Sequence, residues 1–278
     1  MKWNIVADSS CDIFELESQN EQIDFSTVPF VISVDNKDYI DDENINLDEM
    51  IDQMYLCKEA SKTACPSPDS WYKEFSKEGN VIAITITSGL SGSYNSAIAA
   101  RETILEDDPN KNIEIIDSLS TGPELILIIR KLNELITSGK DFKTVIKEIK
   151  LYQKTTHILF ALSSFDNLVK NGRMNKLAGF VAHKLGLIGI GMGSEKGTIS
   201  MKQIVRGKKK ALSAIMNNMK NIGINGNQIV ITHCQNLEYA KLLKEKIEET
   251  WNNIQVTIRP TRGLCSYYAE RYGLIIAF

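Results

Sequence analysis

The sequence lacks the marks of several classes of protein. Its three histidines do not have the spacing of zinc ligands, so no metal site is predicted. Its five cysteines are odd in number and include no Cys-x-x-Cys pair, which predicts reduced thiols in a cytoplasmic protein. No apolar run reaches the roughly 18–20 residues that a membrane span needs, so stable membrane insertion is not expected.

The charge balance and the glycine pattern exclude two further classes. The formal net charge is −3, from 32 basic and 35 acidic residues, whereas a broad nucleic-acid surface needs a basic excess. The glycines of residues 186–193 do not match Gly-x-Gly-x-x-Gly, and the chain contains no Gly-x-x-x-x-Gly-Lys-[Ser/Thr]. The sequence therefore predicts no nucleic-acid partner and no cofactor.

The order of the elements predicts an α/β protein of two domains. Apolar, β-branched runs alternate with helical patterns over residues 1–154, which predicts an N-terminal domain with a mainly parallel sheet flanked by helices. A second α/β domain is predicted over residues 155–278. The hydrophobic content of 43% is enough for a buried core.

Three local predictions concern less regular segments. Phe25–Val34 is predicted to be one strand, in which Pro29 marks an edge or a bulge. Asn36–Asp42 contains a cluster of aspartates without the spacing of a calcium loop, and we interpret it as a solvated loop. Leu177–Leu185 is predicted to be helical.

The stretch Val81–Ala100 predicts a ligand site. It begins as an apolar strand, turns through residues 88–93 and continues as an alanine-rich helix. The end of a strand and the start of a helix both favour a bound anion. Gly92 lets the backbone approach a ligand, and Ser91 and Ser93 add hydroxyl groups. The alternative is an ordinary turn with Ser93 as the helix cap.

Ser91 has two chemical interpretations. The run Gly89–Ser93 is similar to the nucleophile elbow of acyl hydrolases and transferases, but its fifth residue is serine where the motif requires glycine. His233 is followed by no obvious active-site signal. The other interpretation is carboxylate binding without catalysis, in which Ser91 and Thr63 supply neutral hydroxyl donors.

Further candidates lie in other polar turns. Arg173 and Arg206 each stand beside a glycine, and a guanidinium group suits recognition of a carboxylate. Ser9 follows the first predicted strand, where it either caps the next segment or faces the same cleft as Ser91.

Several segments together resemble the DegV family. They occur in the family's order and span nearly the whole chain. The segments are Ile5–Asp12; Val28-Pro29-Phe30 with Tyr39 and Asp41-Asp42; Lys62-Thr63 with Pro66-Ser67-Pro68; Leu90–Tyr94; Asp117-Ser118; Leu168–Arg173; and Arg206-Gly207 before a lysine run.

The resemblance implies a fatty-acid-binding protein that is not itself an enzyme. Proteins of this family have two α/β domains with one long-chain fatty acid between them, and some present it as subunits of a bacterial fatty acid kinase. For this chain, the resemblance implies that Thr63 and Ser91 hydrogen-bond the carboxylate. It also implies that Arg173 and Arg206 lie near the domain junction and that the acyl chain occupies an apolar tunnel.

The chain departs from the family near its C-terminus. Many members carry a His-x-Gly-Pro-Gly element there, with the histidine close to the carboxylate, but residues 261–270 contain no histidine. Arg262 and Ser266 are candidates to face the site instead. Presentation to a fatty acid kinase and a role as a lipid carrier or sensor both stay open. A hydrolase or transferase acting through Ser91 is the alternative.

Overall fold

The computed structural model describes residues 2–18, 20–57, 61–175 and 186–278, and it confirms the predicted α/β fold. The helix predicted over residues 177–185 lies outside these ranges. The strands are β1 (Trp3–Asp8), β2 (Ile23–Val28), β3 (Val31–Val34), β4 (Lys37–Ile40), β5 (Lys62–Ala64), β6 (Asn80–Thr85), β7 (Ile113–Asp117), β8 (Ile158–Leu162), β9 (Leu187–Gly193), β10 (Ile199–Arg206), β11 (Gln228–His233), β12 (Gln255–Pro260) and β13 (Leu274–Ala277).

The helices of the described residues alternate with these strands. They are α1 (Leu47–Leu56), α2 (Pro68–Phe75), α3 (Ser93–Asp107), α4 (Pro123–Thr137), α5 (Phe142–Tyr152), α6 (Asp166–Lys170), α7 (Lys208–Ile222), α8 (Leu237–Thr250) and α9 (Gly263–Ala269). None of these helices is long and apolar enough to cross a membrane.

The strands form three sheets. The first has the order β2-β1-β6-β7 and is parallel throughout, and a small antiparallel sheet has the order β4-β3-β5. The third has the order β10-β9-β8-β13-β11-β12, in which only β11 and β12 run parallel. Ala7 in β1 is level with Ile84 in β6, so the polar turns after these strands meet at one edge of the first sheet.

Helix α4 lies between the two larger sheets. Residues 123–129 of this helix are all buried, as expected for a helical segment that is apolar nearly all round. Its Leu125 and Ile126 share one hydrophobic core with Ile5 of β1, Val230 of β11 and Ala277 of β13. The two larger sheets are therefore joined through a common core, and the boundary between residues 154 and 155 stays a prediction.

The prediction of a single strand over Phe25–Val34 is wrong. Proline has no backbone N–H for a sheet, and the chain leaves the parallel sheet after Val28 and enters the antiparallel sheet at Val31. The backbone N–H of Phe30 donates instead to the hydroxyl of Ser9 at 3.0 Å.

The interpretation of Asn36–Asp42 as a solvated loop is also wrong. Residues Lys37–Ile40 form β4, and Asp41 is fully buried. Its carboxylate accepts the backbone N–H groups of Gly263 and Leu264, at 2.7 and 2.9 Å. Partners so distant in sequence give no local signal of burial.

The tip of the β9–β10 hairpin packs on the turn that follows β6. Gly197, at the tip, has a φ of +69°, and a Cβ atom placed there would lie 2.0 Å from the Thr87 hydroxyl oxygen. Only glycine accepts both this conformation and this close approach.

We expect Gly197→Ala to destabilise the protein more than Gly223→Ala. Gly223 also has a left-handed φ, +89°, but nothing lies within 4 Å of a Cβ placed there. Both variants carry a conformational penalty of about 1–3 kcal/mol for a side chain at such a φ, and only the first adds an overpacking penalty of about 1–3 kcal/mol. Urea unfolding curves measure the difference, and equal losses would contradict the packing described for the hairpin tip.

Candidate functional site

A cavity of about 350 Å³ lies beside the edge of the first sheet at which the turns after β1 and β6 meet. This volume is within the range of small-molecule sites. Most of its wall is apolar and includes Ile158, Phe160, Leu162, Leu168, Ile199 and Ile275.

Strand β8 separates the cavity from the C-terminal core. Because side chains alternate along a strand, Ile158, Phe160 and Leu162 face the cavity, whereas Leu159 and Ala161 pack in the core formed by the C-terminal helices. One strand therefore serves as both core and cavity wall, which explains why its sequence is a continuous apolar run.

Three polar side chains of the wall come from segments that approach one another. Thr63 is in β5, Ser91 is in the β6–α3 turn, and Tyr268 is in α9. The Oγ1 atom of Thr63 lies 2.8 Å from the hydroxyl oxygen of Tyr268. Gly92 adjoins the Thr63 segment, since a Cβ placed on it would lie 3.4 Å from the sulfur of Cys65.

Arg173 brings a positive charge to this polar end. Its Nε atom donates to the carbonyl of Leu90 at 3.1 Å, and its Nη1 atom donates to the carbonyl of Asn171 at 2.6 Å. Leu90, Ser91, Gly92 and Arg173 also line a depression on the protein surface. The polar end of the cavity is therefore next to solvent, and the apolar wall extends inward.

Asp8 fixes the turn that carries Ser91. This carboxylate is fully buried, and its Oδ2 atom accepts the Ile86 N–H at 2.8 Å and the Ser93 hydroxyl at 2.7 Å. Its Oδ1 atom accepts from the Ser10 hydroxyl at 2.5 Å. Burial raises the pKa of Asp8 to about 6, against the opposing effect of these hydrogen bonds. Both ends of the turn are thus tied to the end of β1.

The bond to Asp8 corrects the prediction made for Ser93. Its side chain is buried against Asp8, does not line the cavity and does not cap α3. The cap position of α3 is Gly92, which makes no side-chain hydrogen bond. The short polar side chain at 93 instead satisfies a buried carboxylate.

Four other predicted residues do not line the cavity either. Ser9 is buried and accepts the Phe30 N–H, and Ser266 is buried with its hydroxyl 2.7 Å from that of Thr261. Arg262 stacks on the ring of Phe14, 3.7 Å from its centroid, and donates to the Asp42 carbonyl at 2.8 Å. Arg206 is exposed at the end of β10. The side chains of Ser9, Ser266 and Arg262 therefore have structural partners within the protein.

Helix α9 supplies the residue that the sequence prediction missed. Leu264 and Tyr268 are four residues apart, so they share one face of this helix, and both line the cavity. Burial raises the pKa of Tyr268, while its bond to Thr63 and the charge of Arg173 act in the opposite direction. The helical spacing of these two residues was the available signal.

The N-terminus of α9 is held by two buried carboxylates from the N-terminal part of the chain. Asp41 accepts from Gly263 and Leu264, and Asp12 accepts the Arg262 N–H at 2.7 Å. Burial raises the pKa of Asp41 and raises that of Asp12 to about 7. These contacts set the position of Tyr268 relative to Thr63.

The described residues offer no alternative centre for metal chemistry. No group of three or more His, Cys, Asp or Glu side chains among them could hold a metal ion. The five cysteines are free thiols, and Cys65 and Cys265 line the cavity.

The fold agrees with comparisons to known proteins. A family model described as "Uncharacterised protein, DegV family" matches residues 2–272. The chain belongs to the DegV family. A DegV domain-containing protein of Streptococcus gordonii is 42% identical over 278 residues, which cover 100% of this chain and 99% of the relative.

Solved DegV structures share the whole architecture. The Fatty Acid Kinase (Fak) B3 protein of Streptococcus pneumoniae, loaded with linoleic acid, is 42% identical with a TM-score of 0.97, covering 100% of this chain and 99% of that one. A DegV family protein of Eubacterium eligens, loaded with heptadecanoic acid, is 37% identical with a TM-score of 0.94, covering 99% and 98%. A third, from Ruminococcus gnavus with vaccenic acid, is 27% identical with a TM-score of 0.91, covering 99% of each chain.

In this DegV protein, we expect Asp12→Asn to change how stability depends on pH. The folded pKa of Asp12, about 7, is above the ordinary value of 3.8, so its contribution to stability is largest below pH 4 and is lost as the pH rises to 7. An asparagine keeps an oxygen for the Arg262 N–H but does not titrate. The amide nitrogen of the asparagine takes the place of Oδ2, which has no hydrogen-bond partner among the residues that the structure describes.

The measurement is urea unfolding of both proteins from pH 4.5 to 8. The free energy of unfolding of Asp12→Asn, relative to the unsubstituted protein, should increase with pH and become constant above about pH 7. A difference that is constant over the whole range would contradict the raised pKa.

Proposed function

We propose that this protein binds one long-chain fatty acid and does not itself catalyse a reaction. The observation that carries the proposal is a single cavity with an apolar body and a polar end beside the surface. The carboxylate lies between Thr63, Ser91 and Arg173, and the acyl chain lies along Phe160 and its apolar neighbours. The bound linoleic, heptadecanoic and vaccenic acids of the related proteins support this class of ligand.

Most of the binding free energy comes from the acyl chain in this proposal. Each buried CH₂ group contributes about 0.8 kcal/mol, so a chain of more than ten carbons supplies enough to offset the loss of freedom on binding. The polar end fixes the orientation. A guanidinium group has five N–H donors, and within the described residues Arg173 uses two of its nitrogen atoms in bonds to the carbonyls of Leu90 and Asn171.

The geometry does not favour a hydrolase or transferase that acts through Ser91. Such a reaction needs a base to take the hydroxyl proton. Among the described residues, the cavity wall contains no histidine, aspartate or glutamate. The Ser91 oxygen instead accepts the Ser93 N–H at 3.3 Å.

Presentation of the bound acid to a kinase is part of the same proposal. The support is the 42% identity to a protein described as Fatty Acid Kinase B3 and the position of the polar end beside the surface depression. A carboxylate held there is accessible to a second protein that carries ATP. This role requires the cytoplasmic location predicted from the cysteines.

We expect fatty acid to be recovered from the purified protein. We also expect the variants Thr63→Val and Ser91→Ala to bind fatty acid more weakly than the unsubstituted protein. Solvent extraction followed by mass spectrometry identifies the acid. Loss of one hydrogen bond to a charged group amounts to about 1.5–3 kcal/mol, or roughly 10- to 100-fold in Kd. Calorimetry with delipidated protein measures the change.

The matched controls are Thr103→Val and Ser213→Ala. Their hydroxyls bond carbonyls within α3 and α7, and neither residue lines the cavity. Both should bind like the unsubstituted protein. Folded protein that contains no fatty acid and takes none up would contradict the proposed function.

We expect the protein to increase acyl-phosphate formation by a bacterial fatty acid kinase. Kinase, ATP and fatty acid are incubated with and without the protein, and the acyl phosphate is trapped and counted. Ser91→Ala should reduce turnover because it weakens the carboxylate site. Turnover that is independent of the protein, in a sample shown to bind the acid, would contradict presentation but not binding.

A further inference from the structure

The Thr63 hydroxyl has one proton and two possible partners. Oγ1 lies 2.8 Å from the Tyr268 hydroxyl, and either oxygen could donate in that contact. A carboxylate accepts hydrogen bonds and donates none, so Thr63 must give its proton to a bound fatty acid. Tyr268 must then donate to Thr63 if their contact is to persist.

We propose that Tyr268 is a positioning residue for the fatty acid carboxylate, acting through Thr63. The Tyr268 O–H donates to Thr63 Oγ1, and this directs the Thr63 proton at the ligand. The inference rests on the proposed function and extends it by one uncharged residue, Tyr268. Hydrogen bonds arranged in a chain of this kind polarise and strengthen one another.

The surroundings of Tyr268 suit a donor role. The side chain is half-buried, and burial raises the pKa of its hydroxyl, which stays protonated at neutral pH. The adjacent charge of Arg173 makes the O–H bond more acidic and thus a better donor.

The neighbouring Tyr267 holds Tyr268 and both polar segments in place. The two rings meet edge to face, with centroids 4.9 Å apart. The Tyr267 hydroxyl lies 2.7 Å from Ser61 Oγ, two residues before Thr63. It also accepts from Asn171 Nδ2 at 2.9 Å, two residues before Arg173. The Tyr268 hydroxyl thus contacts β5, and the Tyr267 hydroxyl contacts both the residue before β5 and the turn that contains Arg173.

A double-mutant cycle tests the inference, with delipidated protein and linoleic acid as the probe. Tyr268→Phe removes only the hydroxyl, and we expect it to weaken binding about tenfold, the size of one hydrogen bond. In a Thr63→Val background, the same substitution should change Kd less than about twofold, because the group through which Tyr268 acts is gone. In a Thr63→Ser background, which keeps a hydroxyl, the tenfold effect should return.

The control is Tyr239→Phe, which removes a hydroxyl bonded to the Lys208 carbonyl at 2.8 Å, outside the cavity. It should leave the Kd for linoleic acid unchanged. An equal loss of affinity from Tyr268→Phe in the unsubstituted and Thr63→Val backgrounds would overturn the inference. An unchanged Kd on introducing Tyr268→Phe into the unsubstituted protein would also overturn it. Failure of the unsubstituted protein to bind linoleic acid would overturn the proposed function instead.

A second measurement applies if Tyr268→Phe does not fold. Incorporation of 3-fluorotyrosine at position 268 keeps the ring and the hydroxyl and makes the phenol a stronger acid and a stronger donor. We expect tighter binding of linoleic acid than with tyrosine, whereas a purely structural disturbance would weaken it. Unchanged or weaker binding would overturn the inference.

Discussion

Buried carboxylates in the N-terminal part of the chain hold the wall of the cavity in place. Asp8 accepts from Ile86 and Ser93, so it fixes both ends of the turn that contains Ser91. Asp41 accepts two backbone N–H groups at the start of α9. A cavity removes the packing contacts that would otherwise position its wall, and these directed bonds replace them. Burial opposes ionisation of both groups, and the N–H and O–H donors compensate for it.

The site also depends on a core that is shared between the sheets. Helix α4 packs against β1 on one side and against β11 and β13 on the other. The first sheet supplies the turn that contains Ser91, and the third supplies the apolar face of β8. A change in the packing of α4 would therefore alter the distance between the polar end and the acyl wall.

Local sequence patterns predicted most of the elements, because hydrophobic periodicity and turn residues act over short distances. The strand and helix on either side of Ser91 follow from this local information. Thr63, Ser91 and Arg173 were candidates from their own chemistry and local setting. The family resemblance assigned Thr63 and Ser91 to one carboxylate, since each alone is an ordinary turn or strand residue.

The missed features depend on partners far away in sequence. Asp41 is polar and stands in an acidic run, and only the N–H groups of residues 263 and 264 make its burial favourable. Tyr268 is similarly a plain aromatic residue until β5 places Thr63 against it. The sequence prediction named Arg262 and Ser266, one charged and one small and polar, as replacements for the histidine of the family. The cavity wall instead contains the phenol of Tyr268.

The two hydroxyl groups of the proposed carboxylate site have the same electronic arrangement. Ser91 Oγ accepts the Ser93 N–H. In the liganded state proposed above, Thr63 Oγ1 accepts from the Tyr268 hydroxyl, 2.8 Å away. Each oxygen thus uses a lone pair within the protein and keeps its proton for the ligand. A nucleophilic serine instead needs a base that takes its proton. The described part of the cavity wall contains no histidine, aspartate or glutamate for that step, so the proposed site suits Ser91 as a hydrogen-bond donor to a carboxylate and not as a nucleophile.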